Sequence, residues 1–216
     1  FGDSYSDPSY GGSRATFKVW TENLRDSGAV RSLRGYAVSG ATAQDGSNSF
    51  KAQVDAWVRQ GAPLRANAVC VAYFGYNDIR LSLSLEVARA AYGRQVDRLV
   101  QRGCTSSGRY LLLVRIHQWC RTPGGMVSCS RTTTWNSYVD QIARRLGSAR
   151  VRTVDVYGRF ERIFADPAAA GYSNVTTSSR AAGDAGSTVL YWDRYHFGWA
   201  GHRSLASIVA GVLRRL

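Results

Sequence analysis

The sequence predicts an α/β protein in which a parallel β-sheet is covered by helices on both faces. Continuous apolar runs such as NAVCVAYFG and RYLLLVRIH are typical of strands that are buried on both sides. Segments with helical periodicity, about ten to twenty residues long, alternate with these runs, as they do in sheets of parallel strands joined by helices. The 216 residues, 44% of them apolar, are enough for a substantial core, so we expect a single domain over 1–216.

The first part of the chain is expected to contain two helices and two strands. In ATFKVWTENLRDSG, the side chains of Phe17, Trp20 and Leu24 recur at spacings of three and four, which predicts an amphipathic helix. The segment RGYAVSGAT is strand-like up to a turn at Gly40. SFKAQVDAWVRQG then predicts a second helix, and NAVCVAYFGYND predicts a buried strand that ends at Gly75.

The rest of the chain continues the alternation. Helices are predicted over about Leu83–Arg102, Thr134–Leu146 and Ala200–Leu216, with a short helix in RFERIFAD. RYLLLVRIH and VRTVDVY are predicted strands. The Gly, Ser and Ala-rich stretch Ala168–Ser187 is predicted to be the longest irregular segment.

The chain carries a formal net charge of +13, and nearly all of its 28 basic residues are arginine. They are scattered, which is typical of a solvated basic surface, and attraction to an anionic membrane surface is the sharper alternative. No zinc-finger or RNA-binding signature is present, so we expect no nucleic-acid partner. No apolar run approaches the roughly 18 residues of a membrane span. We expect a monomer.

The four cysteines indicate disulfides. Their spacings contain no CxxC pair, and Cys120 and Cys129 bracket the turn-rich segment RTPGGMVS, which favours the pairs Cys120–Cys129 and Cys70–Cys104. Four buried thiols are the alternative, because Cys70 lies in an apolar run. Disulfides predict an oxidising compartment, and hence a secreted, periplasmic or extracellular protein.

Polar residues follow the ends of several apolar runs, where the carboxyl ends of parallel strands meet at one edge of a sheet. Ser4 is such a residue, and Asp193 and His196 end the last short apolar piece. A serine hydroxyl needs a base to accept its proton, and the base needs an acceptor on its other nitrogen. His196 and Asp193 fit these two roles. A capping serine at a helix start and a surface ion pair are the alternative interpretations.

Three groups are candidates for binding an oxyanion. They are the backbone N–H groups of Ser4 and Gly40 and the side-chain amide of Asn77. Glycine at position 40 lets the main chain approach a substrate without a Cβ in the way. Asn77 would otherwise end a strand through an Asx-turn.

Four short blocks resemble those of the GDSL or SGNH hydrolase family, in the same order. They are GDSYSD, AVSGAT, GYND and DRYH, and together they span almost the whole chain. The resemblance implies a flavodoxin-like three-layer α/β/α sandwich and hydrolysis of carboxylic esters without a metal or an organic cofactor. It also implies that Ser4 is the nucleophile, His196 the base and Asp193 its partner, with Gly40 and Asn77 as oxyanion donors. The chain looks closest to secreted lipases of the thermolabile haemolysin and glycerophospholipid-cholesterol acyltransferase types.

Two features depart from the family pattern. Phe197 follows the late histidine where many members have proline, so His202 is kept as an alternative base. The family's serine follows a central strand, whereas here only Phe1, Gly2 and Asp3 precede it. We therefore expect that residues upstream of Phe1 exist in the natural protein, or that the chain is permuted or clipped.

The resulting prediction is a serine esterase or lipase that acts on an ester substrate, with lipid or phospholipid esters favoured. Tyr5, Tyr76, Tyr195 and Phe197 adjoin the motif blocks and are predicted to line an acyl or sugar pocket. A carbohydrate O-acetylesterase and an acyltransferase using the same site are the alternatives. A catalytically silent binding module is disfavoured, because the chain retains all of the reactive groups.

Overall fold

The computed structural model describes residues 1–10, 18–61, 63–125, 128–182 and 188–216. Its strands are β1 (Val69–Ala72), β2 (Tyr110–Arg115), β3 (Val151–Asp155), β4 (Asn174–Ser178) and β5 (Val189–Tyr191). Its helices are α1 (Trp20–Asp26), α2 (Phe50–Gln60), α3 (Tyr76–Arg80), α4 (Leu85–Gln101), α5 (Cys129–Leu146), α6 (Val156–Ala165), α7 (Ser179–Ala182) and α8 (Trp199–Leu213), and a 3-10 turn covers Trp119–Arg121. None of the helices in the described ranges is long and apolar enough to cross a lipid bilayer.

The main sheet is parallel, with the strand order β1–β2–β3. Two further segments extend the sheet sideways, beyond its β1 edge. Gly2 forms a parallel bridge with Tyr73, directly after β1, and the N–H of Val38 donates to the Gly2 carbonyl over 3.1 Å. Ser4 therefore follows a segment that lies beside β1. Strands β4 and β5 form a separate parallel pair.

Helices cover both faces of the sheet. Helices α2, α4 and α5 pack side by side as one layer, and α1, α6 and α8 form the other. The four consecutive residues 111–114 of β2 are at most 1% exposed, which requires cover on both sides of the strand. The predicted α/β class and three-layer architecture are confirmed.

Local signals at the helix ends explain several boundaries. The Ser49 hydroxyl accepts a hydrogen bond from the N–H of Ala52 and caps the start of α2, and Gly61 ends that helix in the left-handed conformation. Helix α5 begins at Cys129 rather than at the predicted Thr134, and Gly147 ends it in the same left-handed way. Phe17, predicted to lie in the first helix, is outside the described residues.

Two sequence predictions about elements are wrong. RGYAVSGAT forms no strand, because Val38 alone pairs with a neighbour before the chain turns at Gly40. The stretch Ala168–Ser187 is not irregular throughout, since it contains β4 and α7. The segment NVTTS is rich in β-branched residues, which favour a strand. Its pairing partner β5 lies after Ser187, so the formation of β4 depended on a tertiary contact.

Both predicted disulfides are present. Cys70 of β1 is joined to Cys104, just after α4, and Cys120 in the 3-10 turn is joined to Cys129 at the start of α5. The described chain contains no free cysteine. The first bridge fastens a helix end to the sheet, and the second closes the loop that leads into α5.

Candidate active site

The structure brings Ser4, His196 and Asp193 together in one chain of hydrogen bonds. The Ser4 Oγ lies 2.9 Å from Nε2 of His196, and Nδ1 of the same ring lies 2.9 Å from each carboxylate oxygen of Asp193. Ser4 sits in the turn after the sheet-edge segment, and the other two lie in the turn between β5 and α8. The side chains of His196 and Asp193 are 17% and 21% exposed, so the group borders the surface.

Asp193 is held as a carboxylate. Burial would raise its pKa, but the hydrogen bond to the His196 side chain, the charge that this ring carries when protonated, and the backbone N–H groups of Tyr195 and His196 outweigh burial and hold the pKa of Asp193 well below its usual range. Both N–H groups donate to Oδ1 over 2.8 Å. The carboxylate orientation is therefore set by its own turn before it meets the imidazole.

Sequence reasoning missed Tyr10, which lies against the same two side chains. Its hydroxyl donates to Oδ2 of Asp193 over 2.8 Å and lies 2.9 Å from Nδ1 of His196. Tyr10 falls outside the four motif blocks, and proximity to the first block was the one signal in the sequence that could have found it.

The predicted oxyanion donors lie on segments that are hydrogen-bonded to one another. One N–H of the Asn77 amide donates to the carbonyl of Ala41 over 2.9 Å, which leaves its second N–H for another acceptor. Gly40 has φ of 79°, a conformation that glycine adopts without strain. Within the described part of the chain, the backbone N–H groups of Ser4 and Gly40 donate to no protein acceptor.

Two buried carboxylates hold these segments in place. Asp7 accepts the backbone N–H groups of Ser9 and Ser39, both over 2.8 Å, and so ties the Ser4 segment to the residue before Gly40. Burial opposes ionisation of Asp7, but hydrogen bonds from both serines lower its pKa below the ordinary value. Asp78 accepts the N–H groups of residues 43 and 44 and links α3 to the same loop.

Three of the four predicted substrate contacts are corrected. Tyr5, Tyr76 and Phe197 are at most 2% exposed, because these rings fill the core beneath the site. The hydroxyl of Tyr5 donates to the carbonyl of Tyr195 and so supports the turn that carries the histidine. Tyr195 is partly buried and stacks on Trp119, with ring centroids 5.4 Å apart. It is the one predicted contact with a side chain that is partly open to solvent.

The other two histidines are buried. His202 is 2% exposed on α8, and burial, together with the charge of His196, lowers its pKa to about 3. His117 is fully buried, with Nδ1 bonded to the Tyr76 hydroxyl, and burial lowers its pKa to about 3. It is His196, rather than the alternative His202, that is hydrogen-bonded to Ser4. In the described ranges, no three His, Cys, Asp or Glu side chains converge as a metal ion would require.

Asp3 is fully buried beside the site and is expected to make stability depend on pH. Burial raises its pKa to about 7, a bond from the N–H of Tyr5 opposes the rise, and the charge of Asp78 adds to it. Between about pH 4 and 7 the unfolded chain loses a proton that the folded state keeps, so this contribution to stability falls as pH rises through that window. The loss is at most on the order of 4 kcal/mol.

The variant Asp3→Asn does not titrate, so its unfolding free energy relative to wild type should increase between pH 4.5 and 7.5. Urea unfolding at the two pH values measures this difference. Asp97→Asn, which removes an exposed carboxylate paired with Arg145, is the matched control. A free-energy difference for Asp3→Asn that is the same at both pH values would contradict the prediction.

A parallel α/β sheet that presents a hydroxyl, an imidazole and a carboxylate in hydrogen-bonded order at its edge is typical of hydrolytic enzymes. The chain belongs to the GDSL-like lipase/acylhydrolase family, whose model matches residues 1–204. It is a carboxylic ester hydrolase of that family.

Solved structures with low sequence identity share the fold. The acetyl xylan esterase AlAXEase is 14% identical, with a TM-score of 0.66 over 98% of this chain and 96% of that chain. A lipolytic G-D-S-L family member from Veillonella parvula is also 14% identical, with a TM-score of 0.66 over 100% and 97%. The acetylxylan esterase Axe2 from Geobacillus stearothermophilus is 18% identical, with a TM-score of 0.59 over 98% and 91%. No curated protein matches the chain.

Proposed function

We propose that this protein hydrolyses carboxylic esters through an acyl-enzyme on Ser4, with His196 as general base and Asp193 as its partner. The observation that carries the proposal is the hydrogen-bonded chain from the Ser4 Oγ through both ring nitrogens of His196 to Asp193, with each step at 2.9 Å. Distances of this size allow proton transfer without rearrangement of the side chains.

The first half of the reaction forms the acyl-enzyme. The Ser4 Oγ attacks the ester carbonyl carbon while its proton moves to Nε2 of His196, and the charge of the resulting imidazolium is balanced by Asp193. The oxyanion accepts hydrogen bonds from the N–H groups of Ser4 and Gly40 and the amide of Asn77. The intermediate then collapses, and the alcohol leaves with the proton from Nε2.

The second half restores the enzyme. A water molecule attacks the acyl carbon as Nε2 of His196 takes one of its protons, and a second oxyanion forms in the same place. Its collapse releases the carboxylic acid and returns the proton to Ser4. If an alcohol takes the place of water, the same steps transfer the acyl group to that alcohol and give a new ester, so the two reactions differ in the acceptor and hence in the product.

A lipid ester is the substrate class that we favour. Two exposed apolar side chains lie next to the oxyanion segments: Val38, two residues before Gly40, is 46% exposed, and Leu81, directly after α3, is 48% exposed. Apolar side chains at such positions favour an apolar acyl chain or an acyl-chain surface. The net charge of +13 favours anionic headgroups, and the two disulfides support a secreted or periplasmic location.

A carbohydrate O-acetylesterase is the second candidate, because AlAXEase and Axe2, both described as acetyl xylan esterases, share the fold. Nitrophenyl esters with acyl chains of increasing length distinguish the candidates. A lipid esterase should have its highest kcat/KM with medium or long chains, whereas an acetylesterase should act on acetate alone.

A serine-directed fluorophosphonate tests the proposed nucleophile. The folded protein should gain one phosphonyl group, located at Ser4 by peptide mass spectrometry, because this hydroxyl is bonded to a base. Heat-denatured protein is the control and should remain unmodified. Modification at another serine, or none at all in the folded protein, would count against the proposal.

A further inference from the structure

The Tyr10 hydroxyl lies between the two side chains that the proposed mechanism assigns to proton handling. It is 2.8 Å from Oδ2 of Asp193 and 2.9 Å from Nδ1 of His196. The phenol ring also packs against the imidazole, with ring centroids 4.2 Å apart and planes inclined by 34°. Tyr10 thus contacts the imidazole both at its edge and over its face.

The turn that carries Ser4 also places Tyr10. The N–H of Tyr10 donates to the carbonyl of Asp7 over 3.1 Å, and the side chain of Asp7 is itself fastened to Ser9 and Ser39. The segment from Ser4 to Tyr10 therefore places one hydroxyl at each nitrogen of the imidazole. Ser4 faces Nε2, and Tyr10 faces Nδ1.

The hydrogen-bond donors around Asp193 show what the phenol contributes. Oδ1 accepts the backbone N–H groups of Tyr195 and His196. A phenol has one proton to donate, and here it goes to Oδ2. Burial, and the bond to the Asp193 carboxylate with its charge, raise the pKa of Tyr10 well above its usual range, so the phenol stays a donor. Both carboxylate oxygens therefore have donors besides the imidazole.

We propose that Tyr10 is a positioning residue of this site: its hydroxyl holds Oδ2 of Asp193 and its ring holds the imidazole, and together they set the basicity of His196. The inference rests on the proposed function, because it concerns the base of that mechanism. A donor on Oδ2 draws charge from the carboxylate and so weakens its stabilisation of the imidazolium. Without the hydroxyl, His196 becomes harder to deprotonate and its ring is less firmly oriented.

Other titratable groups also act on these side chains. The charge of Arg180 acts on Tyr10 and opposes the rise in its pKa. Tyr5 interacts electrostatically with Asp193, and His202 with His196. Tyr5 is buried with its pKa raised and His202 is buried with its pKa lowered, so both are neutral near pH 7. The change Tyr10→Phe leaves all three in place.

The test compares Tyr10→Phe with wild type. One hydrogen bond removed is expected to lower kcat about 3- to 10-fold and to leave KM within about twofold. The acid limb of the kcat/KM profile and the midpoint of the NMR titration of the His196 ring should both move to higher pH. Tyr138→Phe is the matched control, since it removes a hydroxyl that is bonded to Glu86 between α4 and α5. It should change neither the kinetic constants nor the His196 titration.

Two further measurements separate the outcomes. Tyr10→Leu, which also removes the ring, should lower kcat further than Tyr10→Phe, and thermal unfolding checks that each variant is folded. If folded Tyr10→Phe has a kcat equal to wild type, and the midpoint pH of its His196 titration is unchanged or lower, the inference is overturned and the proposed function stands. If wild type shows no Ser4-dependent ester hydrolysis, the proposed function fails, and the NMR titration still decides whether Tyr10 acts on His196.

Discussion

Replacing Ser4 with alanine is expected to reduce kcat for ester hydrolysis by at least about 10⁴-fold. The change removes the atom that forms the acyl-enzyme, and the remaining oxyanion donors and the imidazole can only assist direct attack by water. Within the described ranges, the Ser4 side chain makes one hydrogen bond, to His196, so the fold loses little. Initial rates with a nitrophenyl ester, measured under substrate saturation, give the effect on kcat.

Ser6→Ala is the matched control for Ser4→Ala. It makes the same chemical change two residues along the chain, at a hydroxyl that accepts a bond from the Trp20 indole rather than from His196. This variant should keep its kcat within about threefold of wild type, with some loss of stability from the buried bond. Ester turnover by purified Ser4→Ala at a rate close to that of Ser6→Ala would eliminate the proposed nucleophile.

The second large effect is expected for Asp193→Asn, which should lower kcat by about 10³- to 10⁴-fold. The backbone N–H groups of Tyr195 and His196 both donate to Oδ1 and so orient the new amide with its oxygen at that position. Its nitrogen then takes the place of Oδ2, 2.9 Å from Nδ1 of His196. The retained oxygen also lies 2.9 Å from Nδ1, but it already accepts two backbone N–H groups, so the amide N–H facing Nδ1 favours the tautomer with the proton on Nε2. In that tautomer Nε2 cannot accept the proton of Ser4.

Measurement of Asp193→Asn should separate this tautomer effect from misfolding. The variant should unfold cooperatively and should resist fluorophosphonate labelling, because an unactivated Ser4 reacts slowly. Asp155→Asn is a suitable control, since Asp155 caps the start of α6 through the N–H of Gly158 and lies outside the site. The double variant with Ser4→Ala should be about as inactive as Ser4→Ala alone, because the residues act as a unit. Full activity in folded Asp193→Asn would be incompatible with the proposed role.

The sequence was sufficient to select the candidate reactive groups and to give their order along the chain. Each of the four motif blocks is a local pattern of about six residues or fewer. Ser4, Gly40, Asn77 and the Asp193–His196 pair could therefore be selected without knowledge of the fold. Helical periodicity located the longer helices, although it placed the start of α5 at Thr134 rather than Cys129, and it missed the short helices α3 and α7. The disulfide pairing also followed from spacing and loop composition.

The aromatic residues show where this kind of reasoning fails. Tyr5, Tyr76 and Phe197 adjoin the motifs, and adjacency in sequence suggested contact with substrate. A side chain's exposure depends on what packs over it, and here segments from distant parts of the chain bury all three rings. No property of the neighbouring residues distinguishes a ring that faces the core from one that faces the cleft.

By itself, the sequence determined the α/β class, the cysteine pairs and the candidates for the reactive groups, because periodicity, motif spacing and turn chemistry act over short stretches of chain. Tertiary structure alone decided which groups meet. Tyr10 and His196 are 186 positions apart, and their contact arises only because the sheet-edge turn and the β5–α8 turn converge. Packing between such distant segments sets which nitrogen faces which oxygen, and that geometry cannot be inferred from any local sequence pattern.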